Sequence, residues 1–170
     1  MDIEITDKTR TRDILPFLTT SNITEVCKQV DVVPIDPPIP EMTVDDFNEL
    51  LSSPENYMMK LAKKHRGALQ FLGACRDMFD QLEGFTKFIK RFEVKQSAEE
   101  KQAATGVPFP SFGNYMVSTL VKFYNLHGVD EAANKRVKEF MLAFEVESSN
   151  AMFSRRYSEI TAKKAKIKKK

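Results

Sequence analysis

The feature that most constrains the fold is a seam of apolar residues that recurs at steps of three and four positions from Leu61 to Phe92. This spacing places side chains on one face of an α-helix, so the segment predicts a long amphipathic helix. Nine of the ten seam positions are apolar, and the tenth is Lys64. The seam consists of Leu61, Lys64, Ala68, Phe71, Cys75, Met78, Leu82, Phe85, Ile89 and Phe92.

A break is expected within this segment. One helix from Pro54 to the end of the seam would be about 60 Å long at 1.5 Å per residue, longer than a compact chain of 170 residues requires. Gly67 follows a run of basic residues, which suit the last turn of a helix, and glycine suits the position after that turn. We therefore predict that one helix ends before Gly67 and that a second follows it.

Capping residues predict further helices along the rest of the chain. A hydroxyl or carboxylate side chain precedes each segment in which apolar residues recur at helical spacing. Such a side chain can accept a hydrogen bond from a free amide of the first turn. The segment from Phe112 to His127 is apolar on most faces, so we expect it to be the central, most buried helix, ended by Gly128. The fold class predicted is all-α, a bundle of about five main helices. The expected caps are Thr43, Ser53, Ser97, Ser111 and Asp130.

Residues 1–42 differ from the rest of the chain and predict an extended amino-terminal arm with one short helix, Ile23 to Val30. Four of the eight prolines fall between Pro34 and Pro40, where they exclude a helix interior or a central strand. Apolar residues alternate with these prolines, so the segment should cover a surface, either on its own bundle or on a neighbouring subunit. The residues expected to contact a partner are Val32, Val33, Ile35, Pro37, Pro38 and Ile39.

Charge is distributed unevenly. Residues 151–170 contain eight basic residues and one acidic residue, a charge of +7, so the first 150 residues carry −5 of the net +2. Such a basic segment predicts contact with a polyanion, although a solvated helix end is an equal alternative. We thus divide the chain into the arm, a bundle over 43–160 and a lysine-rich tail over 161–170. The polyanion-binding candidates are Arg155, Arg156, Lys163, Lys164, Lys166, Lys168, Lys169 and Lys170.

The sequence contains no recognisable arrangement of catalytic or metal-binding residues. His65 and His127 each lie near an expected helix end, where imidazole is favoured for structural reasons. Cys27 and Cys75 belong to no metal-binding motif and are expected to be buried thiols. Asp77 and Asp80 share a helix face, but no second acidic pair accompanies them as a di-metal site would need. We therefore expect no catalytic residue, no cofactor and no metal.

These observations favour a non-enzymatic assembly protein that packs against protein partners, including copies of itself. Thirteen phenylalanines and eight methionines imply more apolar surface than one small bundle hides. An extended arm with a basic tail is common in subunits of multi-copy particles, such as small bacteriophage virion or assembly proteins, and this is a fold-level analogy. The alternative is an accessory protein that binds nucleic acid through its tail. No signal peptide or membrane span is apparent, so we expect the cytoplasm or a particle assembled there.

Overall fold

The computed structural model describes residues 5–19, 22–93, 97–108 and 110–167. It confirms the all-α fold class: 72% of the chain is helical, and the described residues contain no strand. Five of the described helices have nine residues or more, in agreement with about five main helices. The α-helices are α1 (Thr11–Ile14), α2 (Ile23–Cys27), α3 (Val44–Ser52), α4 (Pro54–Lys64), α5 (Ala68–Lys90), α6 (Ala98–Ala104), α7 (Phe112–Tyr124), α8 (Val129–Ala133) and α9 (Val137–Ile167).

The starts of α3, α6 and α7 and the central break follow the predicted capping chemistry, whereas Ser53 precedes α4 without a side-chain capping bond and Asp130 lies inside α8. Thr43 accepts a hydrogen bond from the Asp46 amide at 3.1 Å, and Ser97 forms a capping box with Glu100. The predicted break is confirmed, since α4 ends at Lys64 and Gly67 precedes α5. An isolated β-bridge joins Gly67 to Arg10, so the break is also where the amino-terminal segment meets the bundle.

The most buried helix is α5, and the expectation that α7 would hold this position is wrong. Eight residues of α5 are buried, whereas only Met116, Thr119 and Leu120 are buried in α7. The apolar residues of α7 cover most of its faces, but too few neighbouring elements exist to bury them all. Helix α5 contacts α1, α2, α4 and the 3₁₀ turn Ile39–Glu41, while Phe85 near its end packs against aromatic rings of α3, α7 and α9.

Three predicted helix boundaries need correction. Helix α7 ends at Tyr124, because Asn125 adopts a left-handed conformation with φ of 51°. The backbone amide of Asn125 donates a hydrogen bond to the Val121 carbonyl. Asparagine tolerates this conformation and therefore ended the helix before Gly128, which instead precedes the short helix α8. The last long helix starts at Val137 rather than after Asp130. Helix α2 ends at Cys27, short of the predicted Val30.

The proline-rich segment crosses α5 of its own chain. Its backbone amides donate to α5 at three successive turns: Val33 to the Gly73 carbonyl at 3.2 Å, Ile35 to Asp77 at 2.8 Å, and Ile39 to Gln81 at 2.7 Å. Residues before and after position 42 contribute to the same hydrophobic core. The predicted domain boundary at residue 42 therefore does not divide the core. We call residues 31–39 the strap.

Helix α9 is attached to the body by an aromatic cluster around Phe140. This ring is fully buried and lies 5.7–6.4 Å, between ring centroids, from four other aromatic rings. Edge-to-face and tilted contacts of this kind add to the free energy gained from burial alone. The cluster fixes the start of α9, so the direction in which the rest of the helix projects is also set. Its other members are Phe85, Phe112, Tyr115 and Phe144.

Candidate interaction surface on α9

Helix α9 has two opposite faces along its first turns. Val137, Phe140 and Ala143 are buried on the face toward the body. Further along, contact with the body is reduced to polar and half-buried residues, among them Arg155, whose guanidinium lies 3.5 Å from Glu100 of α6. The helix nevertheless continues without interruption to Ile167. Its second half is therefore a projecting element with most of its surface in water.

The other face of α9 carries five exposed apolar side chains, which we call the α9 stripe. Their exposed fractions run from 38% to 70%. At 3.6 residues per turn they fall within an arc of about 60°, opposite the buried face. Large apolar side chains scattered singly on a surface are ordinary, whereas these five are aligned in one row along the helix. The α9 stripe consists of Leu142, Val146, Phe153, Tyr157 and Ile160.

The two aromatic residues of the α9 stripe contact one another without any cover from the body. The rings of Phe153 and Tyr157 stack with an interplanar angle of 20° and a centroid separation of 6.3 Å. Their exposed fractions are 70% and 64%, the highest values in the stripe. Together they present a flat apolar area of on the order of 200 Å². This pair is the centre of the exposed face.

The cationic candidates of the tail occupy different environments. Arg155 is engaged by Glu100 and also by Glu159 at 3.3 Å. Arg156, Lys163 and Lys164 are exposed, and the side chains described by the structure offer them no ion-pair partner. Lys166 lies in the last turn of α9. The remaining candidates, Lys168, Lys169 and Lys170, lie outside the described residues.

The residues expected to contact a partner through the arm are split between two environments. Ile35 and Ile39 are buried in the core of their own chain, and Val33 is half-buried against Gly73. The other three, Val32, Pro37 and Pro38, are exposed. The strap thus uses its two isoleucines to bind α5, and only its outer edge is accessible.

The two histidines and the two cysteines lie in different environments. Partial burial and the Lys64 ammonium lower the pKa of His65, so its imidazole is neutral near pH 7. His127 is exposed. Cys27 and Cys75 are both buried. Interaction with Cys27 and burial raise the pKa of the Cys75 thiol, whereas interaction with Cys75 lowers the pKa of the Cys27 thiol. A thiol that stays protonated and away from solvent is a poor nucleophile.

The acidic pair on α5 also has structural partners. Asp77 accepts hydrogen bonds from the Ile35 amide and from the side chain of Gln81, both at 2.8 Å. Asp80 pairs with Arg76 at 3.8 Å, and Arg76 also donates to the Val30 carbonyl at 2.6 Å. These carboxylates therefore hold the strap and the residues that precede it against α5.

Two grooves were not predicted from the sequence. One, of about 450 Å³, lies beside the aromatic cluster between the end of α5 and the start of α7, and its described lining is apolar except for Thr86, Lys90 and Glu93. The other, of about 640 Å³, is lined by Lys8, Arg10, Arg12 and Arg66. An alternation of basic residues at positions 8, 10 and 12 is visible in the sequence, but its proximity to Arg66 depends on the bridge between Arg10 and Gly67.

The α9 stripe was only partly anticipated. In the sequence, Phe153, Tyr157 and Ile160 are spaced so that they share one face of a helix. The structure adds Leu142 and Val146 to this face and leaves the whole row in solvent. Periodicity identifies which residues share a face, but it does not show whether another element covers that face.

The described residues show neither a metal-binding cluster nor a membrane-spanning helix. Within the described ranges, no three His, Cys, Asp or Glu side chains converge as metal ligands would. No described helix combines the length and the apolar character needed to cross a bilayer. Comparisons of this chain with known protein families, with curated proteins and with solved structures found no match.

Proposed function

We propose that the protein is a non-enzymatic assembly subunit that packs against other protein subunits through the α9 stripe. The single observation that supports this proposal is the row of five apolar side chains on the projecting helix, each 38–70% exposed. Burial of exposed apolar area is the main driving force for protein association. Aromatic residues at the centre of such a face are the residues that most often dominate binding energy. The outer edge of the strap is a secondary contact region.

The distribution of charge agrees with a protein partner. The α9 stripe itself contains no charged residue, whereas basic side chains lie beside it. An apolar centre with a polar rim is the usual composition of a protein–protein interface. The same helix is held rigidly at its base by Phe140, so the stripe is preorganised and little conformational entropy is lost on binding.

Light scattering on the full chain tests this proposal. We expect a concentration-dependent increase in mass for the unmodified protein, and a monomer for the double variant Phe153→Ser/Tyr157→Ser. Both residues are more than 60% exposed, so the variant should keep its helical circular dichroism. The matched control is Val129→Ser, which removes an exposed apolar side chain of α8 and should leave the mass unchanged. Equal masses for the unmodified chain and the double variant would contradict the proposal.

A second candidate function is nonspecific nucleic-acid binding by the carboxyl-terminal tail. It is supported by Arg156, Lys163 and Lys164, which are exposed on the end of a projecting helix without a described ion-pair partner. Cations presented in this way contact phosphates and release counterions, so the affinity depends steeply on salt.

Removal of residues 161–170 tests the second candidate. We expect binding to a random-sequence duplex to weaken by at least tenfold after truncation, and the logarithm of the affinity to fall linearly with the logarithm of salt concentration. Arg66→Glu is the control, since it removes a cation from the basic groove and leaves the tail intact. Loss of binding in the control but not in the truncated chain would assign the phosphate contacts to the groove, against this candidate.

A further inference from the structure

We propose that the occupant of the α9 stripe is the α9 stripe of a second copy of this chain, in antiparallel orientation. This inference rests on the proposed function and adds to it the identity of the partner and the direction of the two helices. It depends on the charges that flank the stripe, which differ between the two ends of α9.

One end of α9 is acidic and the other is basic. Residues 137–147, the first turns of α9, contain Glu139, Glu145 and Glu147 and one basic residue, Lys138, which pairs with Glu41. Residues 160–167, the last turns of α9, contain Lys163, Lys164 and Lys166 and no acidic residue. A parallel pair of helices would place the two lysine segments side by side, whereas an antiparallel pair places each lysine segment against the acidic end of the other copy. Opposite charges favour the antiparallel arrangement and like charges disfavour the parallel one.

The apolar positions also match in an antiparallel pair. When the two Phe153 side chains meet at the centre, Ile160 of one copy lies opposite Val146 of the other, because each is seven residues, about 10 Å, from the centre. Lys164 then lies opposite Leu142, where its methylene stem can cover the leucine while the ammonium stays in water. Tyr157 of each copy lies opposite Ser149 of the other, so one polar position separates the central aromatic contact from the Val146–Ile160 contact in each half of the pair.

Glu145 is the carboxylate best placed to meet the lysines of a second copy. It is exposed and has no ion pair with any residue that the structure describes. Glu139 and Glu147, in contrast, already pair with Lys135 and Lys122. At 100° per residue Glu145 and Lys163 lie on the same flank of the stripe, and in a two-fold antiparallel pair the same flanks of the two helices meet.

A charge exchange tests the orientation in solution. We expect Lys163→Glu/Lys164→Glu to raise the dissociation constant of the dimer by about tenfold, and Glu145→Lys alone to raise it as well. Combining all three substitutions in one chain should restore much of the affinity, since each flank again carries opposite charges. Sedimentation velocity gives the dissociation constants. A tighter dimer in the Lys163→Glu/Lys164→Glu variant would instead indicate a parallel pair and overturn the proposal.

Disulfide trapping gives an independent readout of the geometry. Chains carrying Val146→Cys and chains carrying Ile160→Cys, each with a different tag, are mixed and oxidised with glutathione disulfide. Cys27 and Cys75 are at most 1% exposed and do not compete. We expect a disulfide between the two kinds of chain and none between two Ile160→Cys chains, whose cysteines would be about 21 Å apart along the antiparallel pair.

The failures of the two proposals are distinguishable. If the mass depends on Phe153 and Tyr157 but the mixed disulfide does not form, the stripe binds protein in another geometry, and only the antiparallel pair is overturned. If the mass is insensitive to those two residues, the proposed function itself fails. A monomer that instead binds vesicles of anionic phospholipid, with the binding lost in Phe153→Ser/Tyr157→Ser, overturns both, because the stripe would then be a membrane contact.

Discussion

Replacing Phe140 by alanine lowers the free energy of unfolding by about 3–5 kcal/mol, the range for removing a buried phenylalanine. Phe140 is fully buried and contacts four aromatic rings, so the substitution leaves a cavity that rigid neighbours cannot fill. It also loosens the base of α9. The change in the free energy of unfolding is measured by urea denaturation, with circular dichroism as the signal.

The matched control for this prediction is Phe153→Ala on the same helix. Phe153 is 70% exposed, so its removal should change the free energy of unfolding by no more than about 0.5 kcal/mol when the chain is monomeric. The same substitution should weaken self-association. Equal losses of stability for Phe140→Ala and Phe153→Ala would show that α9 is packed differently from the arrangement described here.

Replacing Gly73 by alanine destabilises the protein by about 1–3 kcal/mol, as expected when a methyl group is forced into a packed site. A Cβ atom at Gly73 would lie 2.4 Å from the Asp31 carbonyl oxygen and 2.7 Å from a methyl carbon of Val33. The contact with Asp31 is to backbone, so the strap must move away from α5. This cost exceeds the gain of about 1 kcal/mol that alanine brings to a helix interior.

Gly84 provides the control on the same helix. A Cβ atom there meets nothing within 4 Å, so Gly84→Ala should stabilise the protein by about 0.5–1 kcal/mol through helix propensity alone. In thermal unfolding, we expect Gly73→Ala to lower the melting temperature and Gly84→Ala to raise it. If Gly73→Ala also raised the melting temperature, the strap would not cross α5 at this glycine.

Local chemistry made much of the fold predictable. The Thr43, Ser97 and Ser111 caps and the break before Gly67 each depend on residues within one turn of the helix end, and all four were found as predicted. The end of α7 was misplaced because two residues could end it, and Asn125 precedes Gly128 in the chain. Which of two such residues ends a helix depends on tertiary packing.

The candidate site was less predictable, because exposure is a property of the assembled fold. Apolar residues at helical spacing occur both in α7 and in the second half of α9. In the structure, however, Met116 and Leu120 are buried, whereas Phe153 and Ile160 are in solvent. Likewise, nothing in the sequence near Ile35 identifies Asp77 as the acceptor for its amide, 42 residues away. Contacts at this separation are determined by how the helices pack.

The strap has a consequence for biosynthesis. Residues 31–39 leave the ribosome about 40 residues before the part of α5 that binds them, a delay of a few seconds at ordinary elongation rates. Helices as short as α1 and α2, with four and five residues, are not stable in isolation during this interval. The amino-terminal quarter of the nascent chain therefore stays unfolded until α5 emerges, and it then folds onto that helix.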